Sequence, residues 1–247
     1  MKIELDEGYM FGLGAFETAA VEDGKPVFLE EHLMRLENTL LFLGIRPSVN
    51  KDEIYEYLES HYMEHGALKI MASQDNLVFT VRENPYKEED YARGFDLGFS
   101  MTRRNETSKL TYHKTLNYGD SIMARREAKD QGLDDLVFVN SKGAVCESSA
   151  ANLFFVKDDI LYSPQVNCGL LHGIVRDYVY RTERVEDSVI FPADLIHFDE
   201  CFLTNSLMGI MPVRRLGSRV FEGRKTAERL LCRYKKEVLG IKGEAWK

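Results

Sequence analysis

Lys114 lies in the run Thr111-Tyr112-His113-Lys114-Thr115-Leu116-Asn117-Tyr118, where a polar segment meets a predicted helix. Aromatic neighbours on both sides can strip water from its amine. A desolvated lysine loses its proton more easily and becomes a nucleophile able to form a Schiff base. A lone lysine at a helix start is usually a solvated surface residue, so the chemistry needs a second group. Glu147 supplies one, in the strand-like run Gly143-Ala144-Val145-Cys146-Glu147-Ser148-Ser149-Ala150-Ala151-Asn152-Leu153-Phe154-Phe155. An acid among small apolar neighbours is costly to bury without a partner. The plain alternative is an exposed glutamate at a strand end. A cationic pyridinium would satisfy the acid, and pyridoxal phosphate needs both an imine-forming lysine and an acid for its ring nitrogen.

A phosphate ester would need donors, and three places can supply them. Arg35 on a predicted helix offers a bidentate fork. The Gly173-Ile174 amides sit at a predicted helix N-terminus, where free N–H groups and the dipole favour anions. Thr204-Asn205-Ser206 forms a loop after a strand. His32-x-x-Arg35 also fits an ordinary amphipathic helix face. Other motifs fail. Gly8-x-x-x-Gly12-x-Gly14 precedes a strand, unlike a dinucleotide fingerprint. His61 and His65 lack the glutamate spacing of a zinc protease and are expected on a helix face near solvent. Ser148-Ser149 lacks the context of a nucleophile elbow.

The elements that must position these residues follow from periodicity. Ala15–Val21 and Pro26–Leu29 read as a hairpin around Asp23-Gly24, and Leu33, Leu36, Leu40 and Leu43 as a helix stopped by Gly44. Asn50 opens a second helix with Glu53 in a capping-box spacing. Leu68–Ile70 and Leu77–Val81 form a second hairpin, and Phe95–Met101 a strand. A helix is predicted over Leu116–Gln131. Strands follow at Leu136–Asn140, Val145–Ser148, Asn152–Val156 and Ile160–Tyr162, then a helix over Gly173–Thr182. Ser188–Phe191, a short helix at Ala193–Ile196, a strand at Glu200–Asn205 and a helix over Lys225–Val238 complete the pattern. Without strict βαβ alternation the class is α+β. The polar stretch Thr102–Lys109 marks a connection, which divides the chain into 1–104, a linker at 105–112, and 113–247.

The 247 residues carry 32 Lys and Arg against 40 Asp and Glu, a net charge of −8. An acidic chain without a basic run excludes nucleic acid as the expected partner. No apolar run approaches a membrane span, so no membrane association is expected. The four cysteines form no CxxC pair, so metal binding is not expected and a reduced, cytoplasmic setting is.

Together the pieces resemble the class IV aminotransferases, pyridoxal-phosphate enzymes of fold type IV. Six ordered blocks carry the resemblance: Phe11–Thr18, Glu31–Leu36, His113–Tyr118, Glu147–Phe155, Gly173–Arg176 and Thr204–Ser206. It implies a small N-terminal α/β domain, a larger C-terminal domain like a mixed β-barrel, and a homodimer. It makes Lys114 the imine lysine and acid/base, and Glu147 the pyridinium partner. Arg35, Gly173, Ile174, Thr204, Asn205 and Ser206 would surround the cofactor phosphate. Within the family, Asn205–Val213 and Thr18 resemble aminodeoxychorismate lyase, which makes p-aminobenzoate and pyruvate for folate synthesis. Thr18 would assist protonation of the pyruvate methylene. Ala20 stands where the aminotransferases, and often the lyases too, place a basic residue; this weighs against branched-chain or D-amino-acid substrates without singling out the lyase. For the substrate carboxylates, Arg103, Arg104 and Arg176 are the candidate cations.

Overall fold

The computed structural model of the chain describes residues 2–46 and 49–241. Two compact units emerge. The first comprises the chain up to Pro85 together with His113–Tyr118, and the second Tyr86–Tyr112 with the chain from Gly119 onward.

The first unit contains α1 (Glu7–Phe11), β1 (Ala15–Glu22), β2 (Lys25–Pro26), α2 (Leu29–Phe42), α3 (Lys51–Ser60), β3 (His65–Ala72) and β4 (Leu77–Glu83). Its antiparallel sheet has the order β2-β1-β3-β4. Side chains alternate across a strand, so one face of β1 and β3 is apolar. Ala15 and Val21 pack there with Leu68, Ile70 and Ala72 against Leu33, Leu36, Leu40, Ile54 and Leu58 from α2 and α3. The register puts Phe16, Thr18 and Ala20 on the other face, opposite Met71, Lys69 and Ala67. Asn50 caps α3 by accepting from the Asp52 amide at 3.0 Å. His61 ends α3 and His65 begins β3, so these two do not share a helix face; both are exposed.

The second unit contains α4 (Glu88–Arg93), β5 (Phe95–Arg104), α5 (Gly119–Asp130), β6 (Asp135–Asn140), β7 (Val145–Ser148), β8 (Asn152–Lys157) and β9 (Ile160–Pro164). It continues through α6 (Ile174–Thr182), β10 (Val185–Ser188), β11 (Glu200–Asn205), β12 (Gly209–Leu216), β13 (Arg219–Val220) and α7 (Lys225–Glu237). The sheet runs β10-β9-β8-β11-β12-β5-β6-β7, and β7 pairs again with β8. Six strands thereby close into a barrel, the mixed α+β architecture expected. Leu97, Val137, Val139, Leu153, Phe155, Leu203, Met211 and Val213 share one core. The intervening Leu136 and Phe138 face Ala124 and Ala128 of α5, as the two-residue period requires.

Three features depart from the sequence reading. Strand β5 extends to Arg104 and lies between β12 and β6, in parallel with both. Residues 86–104 therefore belong with the barrel, whereas His113–Tyr118 belong with the small sheet. Alternation along a strand reveals that it exists but not which neighbour it pairs with. The strand expected at Ser188–Phe191 lies instead at Val185–Ser188, and β12 was not predicted from sequence. Among the described residues, no helix is long and apolar enough to cross a membrane.

Candidate active site

Lys114 is fastened to β1 by its backbone. The Phe16 amide donates to the Lys114 carbonyl at 3.0 Å, the Leu116 amide to the Gly14 carbonyl at 2.8 Å, and Thr115 bridges to Ala15. This approach needs glycine at 14: a Cβ there would stand 2.6 Å from the Ala72 carbonyl oxygen and from a Leu116 methyl. Asn117 adds a bond to the Gly12 carbonyl at 2.9 Å. The half-buried amine lies 4.5 Å from the Phe16 ring centroid and 5.4 Å from that of Tyr118. The two rings meet edge to face at 4.9 Å, and His113 stacks on Phe42 at 3.9 Å. Aromatic faces attract a cation and exclude water, the environment that the flanking aromatics predicted.

Behind β1, on its helix-facing side, Glu17 is fully buried. Its carboxylate accepts two bonds from Arg35, both 2.7 Å, and contacts His32 Nδ1 at 2.6 Å. Burial alone would raise the Glu17 carboxyl, but the Arg35 guanidinium overrides this and, with the His32 contact, holds it well below the usual carboxylate range. Arg35 is thus a rigid fork whose orientation is set from within the unit. Neither Glu17 nor His32 was identified from sequence as functional. The signal was present in His32-x-x-Arg35, whose i, i+3 spacing puts both on one helix face.

On the opposite face of the small sheet, Thr18 and Thr80 flank Lys69 in one cross-strand row, and Arg82 lies opposite Ala67 in the next. The Lys69 amine sits 4.8 Å from the Phe16 centroid. Burial, helped by repulsion from Arg82, pushes the Lys69 amine below its ordinary value. A half-buried lysine among threonines on the face that carries Phe16 was also missed. Its clue was its place in the alternation of β3, where a polar residue interrupts Leu68-Lys69-Ile70.

In the barrel unit, Glu147 is buried on β7. It accepts from Arg104 Nη2 at 3.0 Å and from the Leu171 amide at 3.0 Å, with Asn152 Nδ2 at 3.5 Å. The register places Asn152 of β8 opposite both Glu147 and Thr204, so the three stand in one row across β7, β8 and β11. Asn152 also donates to the Leu171 carbonyl at 2.9 Å. Gly173 fits against it so closely that a Cβ would lie 2.0 Å from Asn152 Oδ1. Gly173 is the N-cap of α6 and offers no side-chain acceptor to the first amides, that of Ile174 included. The Thr204 hydroxyl is buried without a hydrogen-bond partner among the described residues. Asn152 thus gathers segments that sequence could name only separately.

Three assignments change, those of Arg104, Arg176 and Asn205, while Arg103 stays a candidate. Arg104 is the counter-ion of Glu147, bonded also to Ser121 at 3.2 Å and stacked 4.2 Å over Phe138, so it is not placed to meet a substrate carboxylate. Arg176 is 2% exposed and spends its guanidinium on Asp187, Tyr180, Ser163 and the Pro164 carbonyl. Arg103 is exposed on β5. Asn205 is committed to its own turn: Oδ1 accepts from the Leu207 and Met208 amides at 2.9 Å, and Nδ2 donates to the Ala150 carbonyl. It shapes the turn that opens with the partly exposed Ser206, just beyond Thr204 on β11. The physical reason is common to Arg104, Arg176 and Asn205. A charge or amide taken out of water finds the nearest internal partner, which sequence does not reveal.

The donor set suits pyridoxal phosphate: a buried, anchored carboxylate for a ring N–H, an unpaired buried hydroxyl and an uncapped helix N-terminus for a phosphate, and a lysine among aromatic rings. Among the described residues, no cluster of His, Cys, Asp and Glu could hold a metal ion. A family model, amino-transferase class IV, matches residues 14–216. The chain is 27% identical to the aminodeoxychorismate lyase of Bacillus subtilis, covering 98% of this chain and 92% of that protein. It is 28% identical to the probable branched-chain-amino-acid aminotransferase of Thermotoga maritima, over 83% and 78%. Its fold matches the crystal structure of 4-amino-4-deoxychorismate lyase from Pseudomonas aeruginosa with a TM-score of 0.85, at 25% identity and 97% coverage of each chain. The chain belongs to the class IV aminotransferase family and is a pyridoxal 5'-phosphate enzyme of fold type IV.

Proposed function

We propose that the enzyme is an aminodeoxychorismate lyase, converting 4-amino-4-deoxychorismate into p-aminobenzoate and pyruvate. The observation that carries this reading is the row Thr18–Lys69–Thr80 with Arg82 beside it. A substrate with two carboxylates asks for two cations, and Lys69 and Arg82 supply them on the face that carries Thr18. The amino-acid run Asn205–Val213 supports the same reading.

Bound pyridoxal phosphate supplies an electron sink conjugated to the substrate amine. We assign Lys114 as the amine for the cofactor aldehyde and as the base that takes the substrate's C4 proton. Glu147, held by Arg104 and the Leu171 amide, keeps a proton on the ring nitrogen. Arg35, the Gly173-Ile174 amides, Thr204 and Ser206 hold the phosphate. The C4–H and C3–O bonds break, the ring becomes aromatic, and the Thr18 hydroxyl passes a proton to the methylene of the departing three-carbon unit, its own proton being restored by the one that Lys114 took from C4. No oxidant or second substrate is required.

Transamination of branched-chain or D-amino acids is the competing reading, favoured by the Thermotoga maritima relative and by the D-alanine aminotransferase of Listeria monocytogenes at 24% identity. A coupled assay separates them. Pyruvate and p-aminobenzoate released without an amino acceptor support the lyase; transfer that depends on a keto acid, without those products, overturns it. We also propose a cytoplasmic homodimer that serves folate synthesis. Exposed Tyr9, Met10 and Phe11 on α1 suit a protein partner, and sedimentation at two concentrations tests the dimer.

A further inference from the structure

His32 is the only fully buried histidine of the six in the chain. Its Nδ1 lies 2.6 Å from Glu17. That carboxylate is ionised and can only accept, so Nδ1 carries the hydrogen and Nε2 is a bare lone pair. Nε2 is buried and has no hydrogen-bond partner among the described residues. A buried acceptor without a donor is rare in proteins and calls for a function or a ligand. The mechanism above does not use it.

The charges around His32 explain its state. Burial holds the imidazole neutral; Glu17 from β1 opposes that, while Arg35 from the same helix and Lys114 from the 113–118 segment reinforce it. The Glu17–Arg35 pair sums to zero charge, so the network is neutral as long as His32 is. A phosphate dianion at Arg35 would upset this balance. It would bring negative charge beside an imidazole that already points one N–H at a carboxylate and has one nitrogen left to protonate. We propose that His32 is a further group of the phosphate site, bare at Nε2 in the cofactor-free enzyme and protonated there when the cofactor phosphate is bound. This rests on the assignment of Arg35 as a phosphate ligand. The consequence is that binding takes up a proton, and that affinity declines about tenfold per pH unit between the point where the free-state imidazolium deprotonates and the higher point where the bound-state imidazolium does, levelling off above it.

Nitrogen-15 NMR of histidine-labelled, cofactor-free enzyme tests this with pyridoxamine 5'-phosphate, which has no aldehyde to react with Lys114. Work at pH 8 keeps the free phosphate ester dianionic, since its second pKa is about 6. His32 is recognised as the buried ring that does not titrate. We expect one protonated and one bare nitrogen in the free enzyme and two protonated nitrogens in the complex. Calorimetry in two buffers of different ionisation enthalpy should count one proton taken up, and none for His32→Gln. A bound cofactor, seen by phosphorus NMR, with Nε2 still bare would overturn the inference and leave the Arg35 assignment standing. Absence of cofactor binding would overturn both. The wild-type spectra decide the matter even if the variant does not fold.

Discussion

Replacing Glu17 by glutamine removes the charge at the centre of the buried network while keeping the side chain's size. Hydrogen bonds to charged groups contribute roughly 1.5–3 kcal/mol each, and breaking a buried pair from one side costs roughly 3–5 kcal/mol, because the surviving charge stays desolvated. The Arg35 side chain is 17% exposed, against 0% for Glu17. Water can partly solvate the orphaned guanidinium, which places the expected cost near the lower end, about 3 kcal/mol. For a chain of this size ~1 kcal/mol moves Tm by ~2–4 °C, so Glu17→Gln should melt about 6–12 °C lower. A double-mutant cycle with Arg35→Gln isolates the pair and should return a coupling of about 3 kcal/mol. The pH dependence has a defined sign. Because the folded carboxyl lies well below its ordinary 4.5, its stabilisation is complete at neutral pH. It shrinks as pH falls through 4.5, where only the unfolded chain takes up a proton. The Tm gap between wild type and Glu17→Gln should therefore narrow from pH 6 towards pH 3. A coupling below ~0.5 kcal/mol, the value of a solvated surface pair, would refute the reasoning.

Lys114→Ala should abolish the cofactor's visible absorbance band and its covalent trapping by borohydride, read by spectrophotometry and peptide mass; a band of wild-type position and intensity would exclude Lys114 as the attachment point. Gly173→Ala forces a methyl to within 2.0 Å of Asn152 Oδ1. It should weaken cofactor binding by at least about tenfold, or ~1.4 kcal/mol, in a fluorescence titration. Lys69→Ala should raise KM for the dicarboxylate substrate more than it lowers kcat. Because the Lys69 amine is pushed below its ordinary value of 10.5, wild-type KM should rise on the alkaline side before free lysine titrates. Lys69→Arg should flatten that limb.

Much of the small unit was legible because its elements are local. The helix over Leu33–Leu43 and the hairpin over residues 65–83 announce themselves by period, and each packs against its sequence neighbours. The barrel was less so. Its closure depends on β5 pairing in parallel with β12 and β6, contacts between distant segments that no local pattern encodes. The same divide runs through the arginines. Arg104 and Arg176 looked available for substrate because a sequence shows charge but not desolvation; the fold buries Arg176 beside Asp187 and half-buries Arg104 beside Glu147.

The amino-acid sequence by itself determined the candidate reactive groups: a lysine between aromatics, an acid in an apolar strand, and glycine, threonine and arginine in an order that marks the family. These are properties of side-chain type and spacing, which survive without coordinates. Tertiary structure alone decided how those groups are held. Asn152 joins Glu147, Gly173 and Thr204 only because three strands align in register. Glu17 fixes Arg35 and leaves His32 with a bare nitrogen only because β1 and α2 enclose Glu17 and His32 away from water. Burial raises the cost of every unpaired polar atom, and that cost is set by neighbours in space rather than along the chain.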